Sequence, residues 1–419
     1  MRIVVIKFYR FNKGGVLVFK PELITLIHDA TVIQRWNDHI RPNTGFVEMD
    51  KQAHKTFFAF VLAKCHEDAG GKVDYVKLIE GIIAEFLHRV ILTDIKPPIY
   101  HKLKKEMGYK IDEYVENELA PYLEGIKGDF KRNMHLYFTD INYSTVERDI
   151  IRFAHYLATK WEFDIIYPSN ISMYNIENTK NEVNEGLARC KWFEGKRVFY
   201  QTPELTNFLN LIGQLRFQQR WTATARIPQT SVMAHTFVVA VLSYFFTLET
   251  EGCNKRIENN FFGALFHDLP EVLTRDIISP VKNGVEGLDE IIKQIEESQM
   301  QSIIYPLIPK NWVEQLEYYT NDEFSSKIVK NGKIEAVTSE EISEKYNEKI
   351  FNPIDGKIIR ACDHLSAYLE AYLSMRNGIE GDSLKRALVN LRDAYKDRNI
   401  AGINFGSYFE YFFEEAYKR

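Results

Sequence analysis

Two stretches of the chain are apolar at nearly every position. Thr236–Leu248 (TFVVAVLSYFFTL) and Phe57–Cys65 (FFAFVLAKC) lack turn residues and exceed ordinary strand length, so both predict helices. Pro21 and Pro203, each followed by glutamate, stand where a first helical turn would begin. Leu288–Tyr305 places its apolar residues near helical spacing and predicts an amphipathic helix, followed by a polar stretch from Asn321 to Asn352. Val16–Phe19 and Arg197–Tyr200 read as short strands. The pattern as a whole is mainly helical, an all-α fold with short β segments near the start of each of two domains.

The division into two rests on internal repetition. Pro21-Glu22-Leu23 recurs as Pro203-Glu204-Leu205, and Arg35-Trp36 as Arg220-Trp221, at offsets of 182 and 185. His54 in KQAHKTFF pairs with His235 in VMAHTFVV, and His88 with His267, at offsets of 181 and 179. IIRFAHYLATKWE, with His155, pairs with IIRACDHLSAYLE, with Asp363, at an offset of 208. Five blocks in one order predict a tandem duplication. The polar segment Asn175–Glu185 is the natural boundary, giving domains 1–185 and 186–419, the second with an insertion at about 283–355 that forms a cap or partner surface.

Composition narrows the functional classes. The net charge of −5 gives no reason to expect nonspecific nucleic-acid binding. Four scattered cysteines without a CxxC pair read as reduced thiols, and the first residues lack a signal-peptide layout, so a cytoplasmic protein is expected. The apolar run Phe237–Phe246 is short of the roughly 20 residues of a membrane span.

The candidate chemistry lies in FFGALFHDLPEVLTRDIISPVK, residues 261–282. An apolar run leads into His267-Asp268, an imidazole and a carboxylate that a divalent cation would compensate. His235 on the apolar helix and Asp363 opening DHLSAYLEAYL complete a possible mixed N/O ligand set, suited to Mn, Fe, Co, Ni or Zn rather than Ca. Taken singly, His235 also reads as a satisfied core histidine, and His267-Asp268 as a helix end with a capping interaction. Glu271, three residues past Asp268, would share its face on a helical turn.

These residues, in the order H…HD…D, resemble the HD superfamily of metal-dependent phosphohydrolases. The second half resembles its bacterial 5′-deoxynucleotidase branch: Arg220-Trp221 upstream of His235, HDLPEVLTRDIISPVK, and Asp363 before a helix. The resemblance implies that His235, His267, Asp268 and Asp363 hold one divalent metal, whose water attacks the phosphate ester of a deoxynucleoside 5′-monophosphate. It implies that Glu271 assists proton transfer, Arg220 contacts phosphate, Trp221 packs on the sugar, Asp276 reads the 3′-hydroxyl, and Lys282 is a weaker phosphate candidate. His235, His267 and His364 are the histidines of the second half, too few for the second metal of dinuclear relatives. Two alternatives stay open: hydrolysis of a nucleoside triphosphate or alarmone at the same site, and a non-enzymatic ligand-binding or interaction module. In the first half Arg89 stands where the aspartate after the histidine belongs and would repel a cation, so that copy reads as non-catalytic. Arg35-Trp36, Arg89 and Asp94 survive there as an anion pocket, or the copy is a packing partner in an internal pseudo-dimer; a homo-oligomer is also compatible.

Overall fold

A computed structural model of the chain describes residues 17–42, 45–275 and 285–417. In the N-terminal half, helices α1 (Pro21–Asp29), α2 (Glu48–Asp68), α3 (Tyr75–Leu92), α4 (Pro97–Leu119), α5 (Phe130–Thr139), α6 (Thr145–Ile166) and α7 (Ile176–Ala188) follow one another. Then come α8 (Glu194–Gln201), α9 (Pro203–Gly213), α10 (Val232–Glu249), α11 (Asn254–Phe266) and the short α12 (Glu271–Thr274). The remaining helices are α13 (Leu288–Gln299), α14 (Lys310–Thr320), α15 (Ser339–Glu341), α16 (Gly356–Arg376), α17 (Asp382–Tyr395) and α18 (Gly406–Tyr417).

Local chemistry explains several of these boundaries. Pro21 and Pro203 occupy first turns, where the missing N–H is not needed. Ser231 caps α10 by accepting from the Ala234 N–H, and Asp74 and Asp355 cap α3 and α16 in the same way. The expected helix at Leu288–Tyr305 is α13 continued by a π turn, Met300–Ile304.

The expected strand at Arg197–Tyr200 is instead part of helix α8, where Phe199 is buried and Tyr200 is exposed. Its β-branched and aromatic residues suggested a strand, yet packing against α2 settles the conformation. Val16 lies outside the described residues, and Leu17–Phe19 form no strand. Among the described residues, strands are confined to two hairpins in the C-terminal half, β1 (Lys327–Lys330) with β2 (Lys333–Ala336), and β3 (Asn399–Ile400) with β4 (Ile403–Asn404). The first lies inside the stretch expected to be simply polar. The boundary segment is also ordered, since most of Asn175–Glu185 is helix α7.

α2 and α10 run through the centre. Every residue of α10 is buried, and α2 buries nearly all of its length, including Glu48, Asp50, Lys51, His54 and Lys55. By length and composition alone Val232–Glu249 could cross a membrane; here it is core. One continuous apolar cluster joins both halves, with Phe57 and Phe60 meeting Phe266 at ring distances of 5.1 and 5.0 Å.

Polar links brace the halves as well. Arg216, fully buried between α9 and α10, donates to Glu162 of α6 at 2.7 Å, and Ser231 donates to Asp50. His54 Nε2 meets the Leu209 carbonyl at 3.0 Å, and Tyr244 donates to Glu80 at 2.9 Å. Gly213 permits α9 to lie close to α6, because an added Cβ would sit 2.5 Å from the Trp161 ring.

One local arrangement occurs twice. Before α2, the Arg35 N–H donates to the Phe46 carbonyl; before α10, the Arg220 N–H donates to that of Thr230. Isolated antiparallel bridges flank them, Gln34 with Val47 and Gln219 with Ser231. Trp36 and Trp221 both adopt left-handed backbone, at φ 57° and 60°, a conformation that costs a bulky residue about 1–3 kcal/mol. In each case the indole N–H donates to a buried glutamate, Glu162 at 2.8 Å and Glu370 at 2.7 Å.

Candidate metal and phosphate site

Two helices and one helix end bring the site together. His235 lies in the first turns of α10, four residues after the Ser231 cap. His267 and Asp268 follow the last residue of α11, and Asp363 lies in the second turn of α16. Ligand atoms of His235, His267 and Asp363 all fall within 4.8 Å of one another, which no other such group does among the described residues.

The hydrogen bonds fix which atoms face inward. His267 Nδ1 donates to the Ala264 carbonyl at 2.7 Å, which leaves Nε2 as the nitrogen that faces the cluster. That Nε2 is buried without a hydrogen-bond partner; Asp268 Oδ1 lies 3.1 Å away, outside hydrogen-bond alignment. His235 Nε2 lies 3.0 Å from Asp363 Oδ1, while its Nδ1 is held by the Ser366 hydroxyl at 3.0 Å. Two donors each about 2.1 Å from one ion, at right angles, would be about 3 Å apart, as His235 Nε2 and Asp363 Oδ1 are. The residues therefore fit a divalent cation. Ser366 and the Ala264 carbonyl are the outer partners that orient its imidazoles.

Electrostatics agree with that fit. Burial opposes charge on Asp363, yet the hydrogen bond from His235 and the nearby His235, His267 and Arg360 keep its carboxyl well below the ordinary range. Burial, then the charge of Arg220, lowers His235 to about 4, so its ring is neutral at pH 7, as a metal-binding imidazole must be.

Arg220 stands beside this cluster. Its Nη1 is 3.9 Å from Asp268 Oδ2, and its Nε donates to Glu370 at 3.3 Å. Glu370 also accepts from Trp221 and, at 2.6 Å, from Thr230. Burial alone would raise the Glu370 carboxyl, but Arg226 and Arg220 hold it well below the usual range. Glu370 thus fixes the Arg220-Trp221 pair from outside the His235, His267 and Asp363 cluster. Sequence reading passed over it, although it ends the repeated block as Glu162 ends the other. Ser366 and Thr230 were missed too, because their contacts span 131 and 140 residues of chain, as was Arg226, which donates locally to Thr230 and acts on Glu370 through its charge.

Glu370→Gln keeps the shape and removes the charge. It is expected to lower stability by about 2–3 kcal/mol and kcat/KM by about 10- to 100-fold while leaving metal content unchanged. Denaturant midpoints, kinetics and elemental analysis check the three parts.

Glu271 begins α12, and its N–H donates to the Asp268 carbonyl at 3.1 Å, which sets it one turn beyond the aspartate. Asp276 and Lys282 lie outside the described residues. Phe324, from the insertion, lies against the site, its ring 5.9 Å from that of His267.

The family profile described as "HD domain" matches residues 212–392. That segment of the chain is similar to an HD domain. The chain is similar to the 4′-phosphooxetanocin A phosphatase of Priestia megaterium, 36% identical over 85 residues, which is 19% of this chain and 43% of that protein. It is also similar to 5′-deoxynucleotidases of Pasteurella multocida (strain Pm70), 20% identical over 42% of this chain, and Vibrio vulnificus (strain YJ016), 22% identical over 41%. The match spans 77% of each of these two relatives.

The N-terminal half is arranged differently from the sequence expectation. His54 does not occupy the position of His235: it faces the Leu209 carbonyl and packs edge-on against Trp161. His88 turns to Asp112 at 3.0 Å, and Arg89 contacts Glu48 and Asp94 at 3.4 and 3.5 Å. Lys51, four residues after the Val47 cap as His235 is after Ser231, is the residue that meets His155, with Nζ 2.5 Å from Nδ1. The shared Ala-His dipeptide had suggested a register one helical turn away.

Proposed function

We propose that the C-terminal half hydrolyses the phosphate ester of a nucleotide, with a deoxynucleoside 5′-monophosphate as its preferred substrate. The observation that carries this is the buried Nε2 of His267, which makes no hydrogen bond and converges with His235 and Asp363 beside Arg220. In this reading His235, His267, Asp268 and Asp363 hold one divalent ion. Such an ion, when bound, lowers the pKa of a water and withdraws charge from phosphoryl oxygens.

The chain's own residues account for the rest. Arg220, its Nε held by Glu370, offers its remaining donors to the non-bridging oxygens. Trp221, fixed by the same carboxylate, packs on the sugar. Glu271 takes the proton released on attack and returns one to the leaving oxygen. Asp276 hydrogen-bonds the 3′-hydroxyl of the substrate.

We further propose that the chain arose by tandem duplication, with halves 1–185 and 186–419 forming an internal pair. The doubled Arg-Trp-Glu arrangement supports this, as do the matching bridges before α2 and α10. Lys51 in the place of His235 supports the reading that the first half no longer handles metal.

A panel of ribo- and deoxynucleotides, assayed for orthophosphate release with Mn, Co, Fe, Ni and Zn, tests the activity. Deoxynucleoside monophosphates are expected to react fastest, and Glu271→Ala is expected to lower kcat by about 10²–10⁴-fold with metal content retained. No release from any phosphate ester with any metal would refute the proposal. Triphosphate or pyrophosphate as product would replace the monophosphate substrate with a longer one.

A further inference from the structure

The N-terminal half buries cations where the C-terminal half gathers metal ligands. Lys51 and Lys55 lie one turn apart on α2, both fully buried. Lys55 pairs with Glu85 at 3.1 Å, Arg35 with Glu48 and Glu162 at 2.9 and 2.8 Å, and Arg89 with Glu48 and Asp94. The acceptors of Glu48 are used by Arg35, Arg89 and Gln52. Lys51 is left with an imidazole, Nδ1 of His155, as its hydrogen-bond partner.

A buried ammonium joined to a neutral base is poorly compensated in this setting. Burial holds Lys51 well below its ordinary range, more strongly than nearby Glu48 restores it. Burial, then Lys51, Lys55, Arg35 and Arg89, holds His155 well below its range too. An anion entering here would let Lys51 keep its proton and would gain donors from His155 and Arg89, each of which reaches the surface in part.

We propose that Lys51, His155 and Arg89 form a second, metal-independent site that binds a phosphate monoester. That an anion binds follows from the cations themselves. The choice of phosphate monoester rests on the nucleotide reading of the other half, since Arg35-Trp36-Glu162 repeats the Arg220-Trp221-Glu370 frame. Lys51 then supplies from the chain the positive charge that a metal supplies in the other half. The site would sense substrate or product rather than transform it.

Isothermal titration of the full-length protein in EDTA, with inorganic phosphate and with deoxyadenosine 5′-monophosphate, tests this apart from catalysis. Saturable binding is expected for at least one probe. It is expected to weaken about tenfold or more in both Lys51→Met and Arg89→Gln, and to persist in Arg220→Gln. Arg89 is partly exposed, so its variant keeps the test valid should Lys51→Met fail to fold, as circular dichroism would report. Absence of binding for both probes in EDTA would overturn the proposal. So would binding unchanged in Arg89→Gln, or binding lost in Arg220→Gln but not in Arg89→Gln. The nucleotidase reading is judged separately, by metal-dependent phosphate release from the wild-type protein.

Discussion

Asp268→Ala is expected to lower kcat/KM for nucleotide hydrolysis by at least about a thousandfold, equivalent to roughly 4 kcal/mol of transition-state stabilisation. The expectation follows from its position. Asp268 Oδ1 lies 3.1 Å from the inward nitrogen of His267, and Oδ2 lies 3.9 Å from Arg220. The same carboxylate therefore adjoins both the His235, His267 and Asp363 cluster and the Arg220 guanidinium proposed to bind phosphate. Removing it weakens the ion and removes a restraint on Arg220, so bound metal should fall together with turnover. Stability should change little, because the side chain is partly exposed at a helix end. Steady-state kinetics, elemental analysis and a denaturant midpoint on one preparation check all three. Full activity in this variant would remove Asp268 from the site.

The largest expected effect on stability lies elsewhere, at Glu162. This carboxylate is fully buried and accepts from Arg216 of the C-terminal half and from Arg35 and Trp36 of its own. Glu162→Gln leaves two buried guanidinium groups short of a counter-charge, a loss of about 3–5 kcal/mol. Burial pushes the Glu162 carboxyl up, but Arg35 and Arg216 more than reverse this and set it below its ordinary value of 4.5. A depressed carboxyl contributes its stability above the unfolded pKa and loses it as pH falls through the folded one. The gap between wild type and variant should thus be complete at pH 7 and shrink as the pH drops below about 4.5. Denaturant unfolding at pH 7 and at pH 4 measures it. Because Glu162 bridges the halves, both should unfold in a single transition in the wild type.

The helices, and the His267-Asp268 pair that with His235 and Asp363 makes the candidate ligand set, were legible because each rests on a local rule. Pro21 and Pro203 mark first turns, and His267-Asp268 ends an apolar helix whatever surrounds it. The register of the N-terminal site was not legible for a physical reason. α2 is buried around most of its circumference, so its polarity pattern does not say which residue faces inward. The Ala-His identity then drew the alignment to His54, whereas the distance from the helix cap places Lys51 in the site. Glu370 escaped notice because a buried carboxylate acquires its role from partners, here Arg220, Trp221 and Thr230, that only folding brings near. Arg197–Tyr200 misled in the opposite sense: β propensity in eight residues yields to the groove that α2 offers α8.

The proposed chemistry requires that His235, His267 and Asp363 hold a catalytic metal. The direct measurement is the metal content of reconstituted full-length protein, wild type and His267→Ala, with phosphate release from a deoxynucleoside monophosphate followed on the same samples. One divalent ion per chain in the wild type is predicted, with hydrolysis rising in proportion to occupancy and both lost in His267→Ala. A wild-type chain that retains no metal, or a His267→Ala chain that binds metal and hydrolyses as the wild type does, would contradict it.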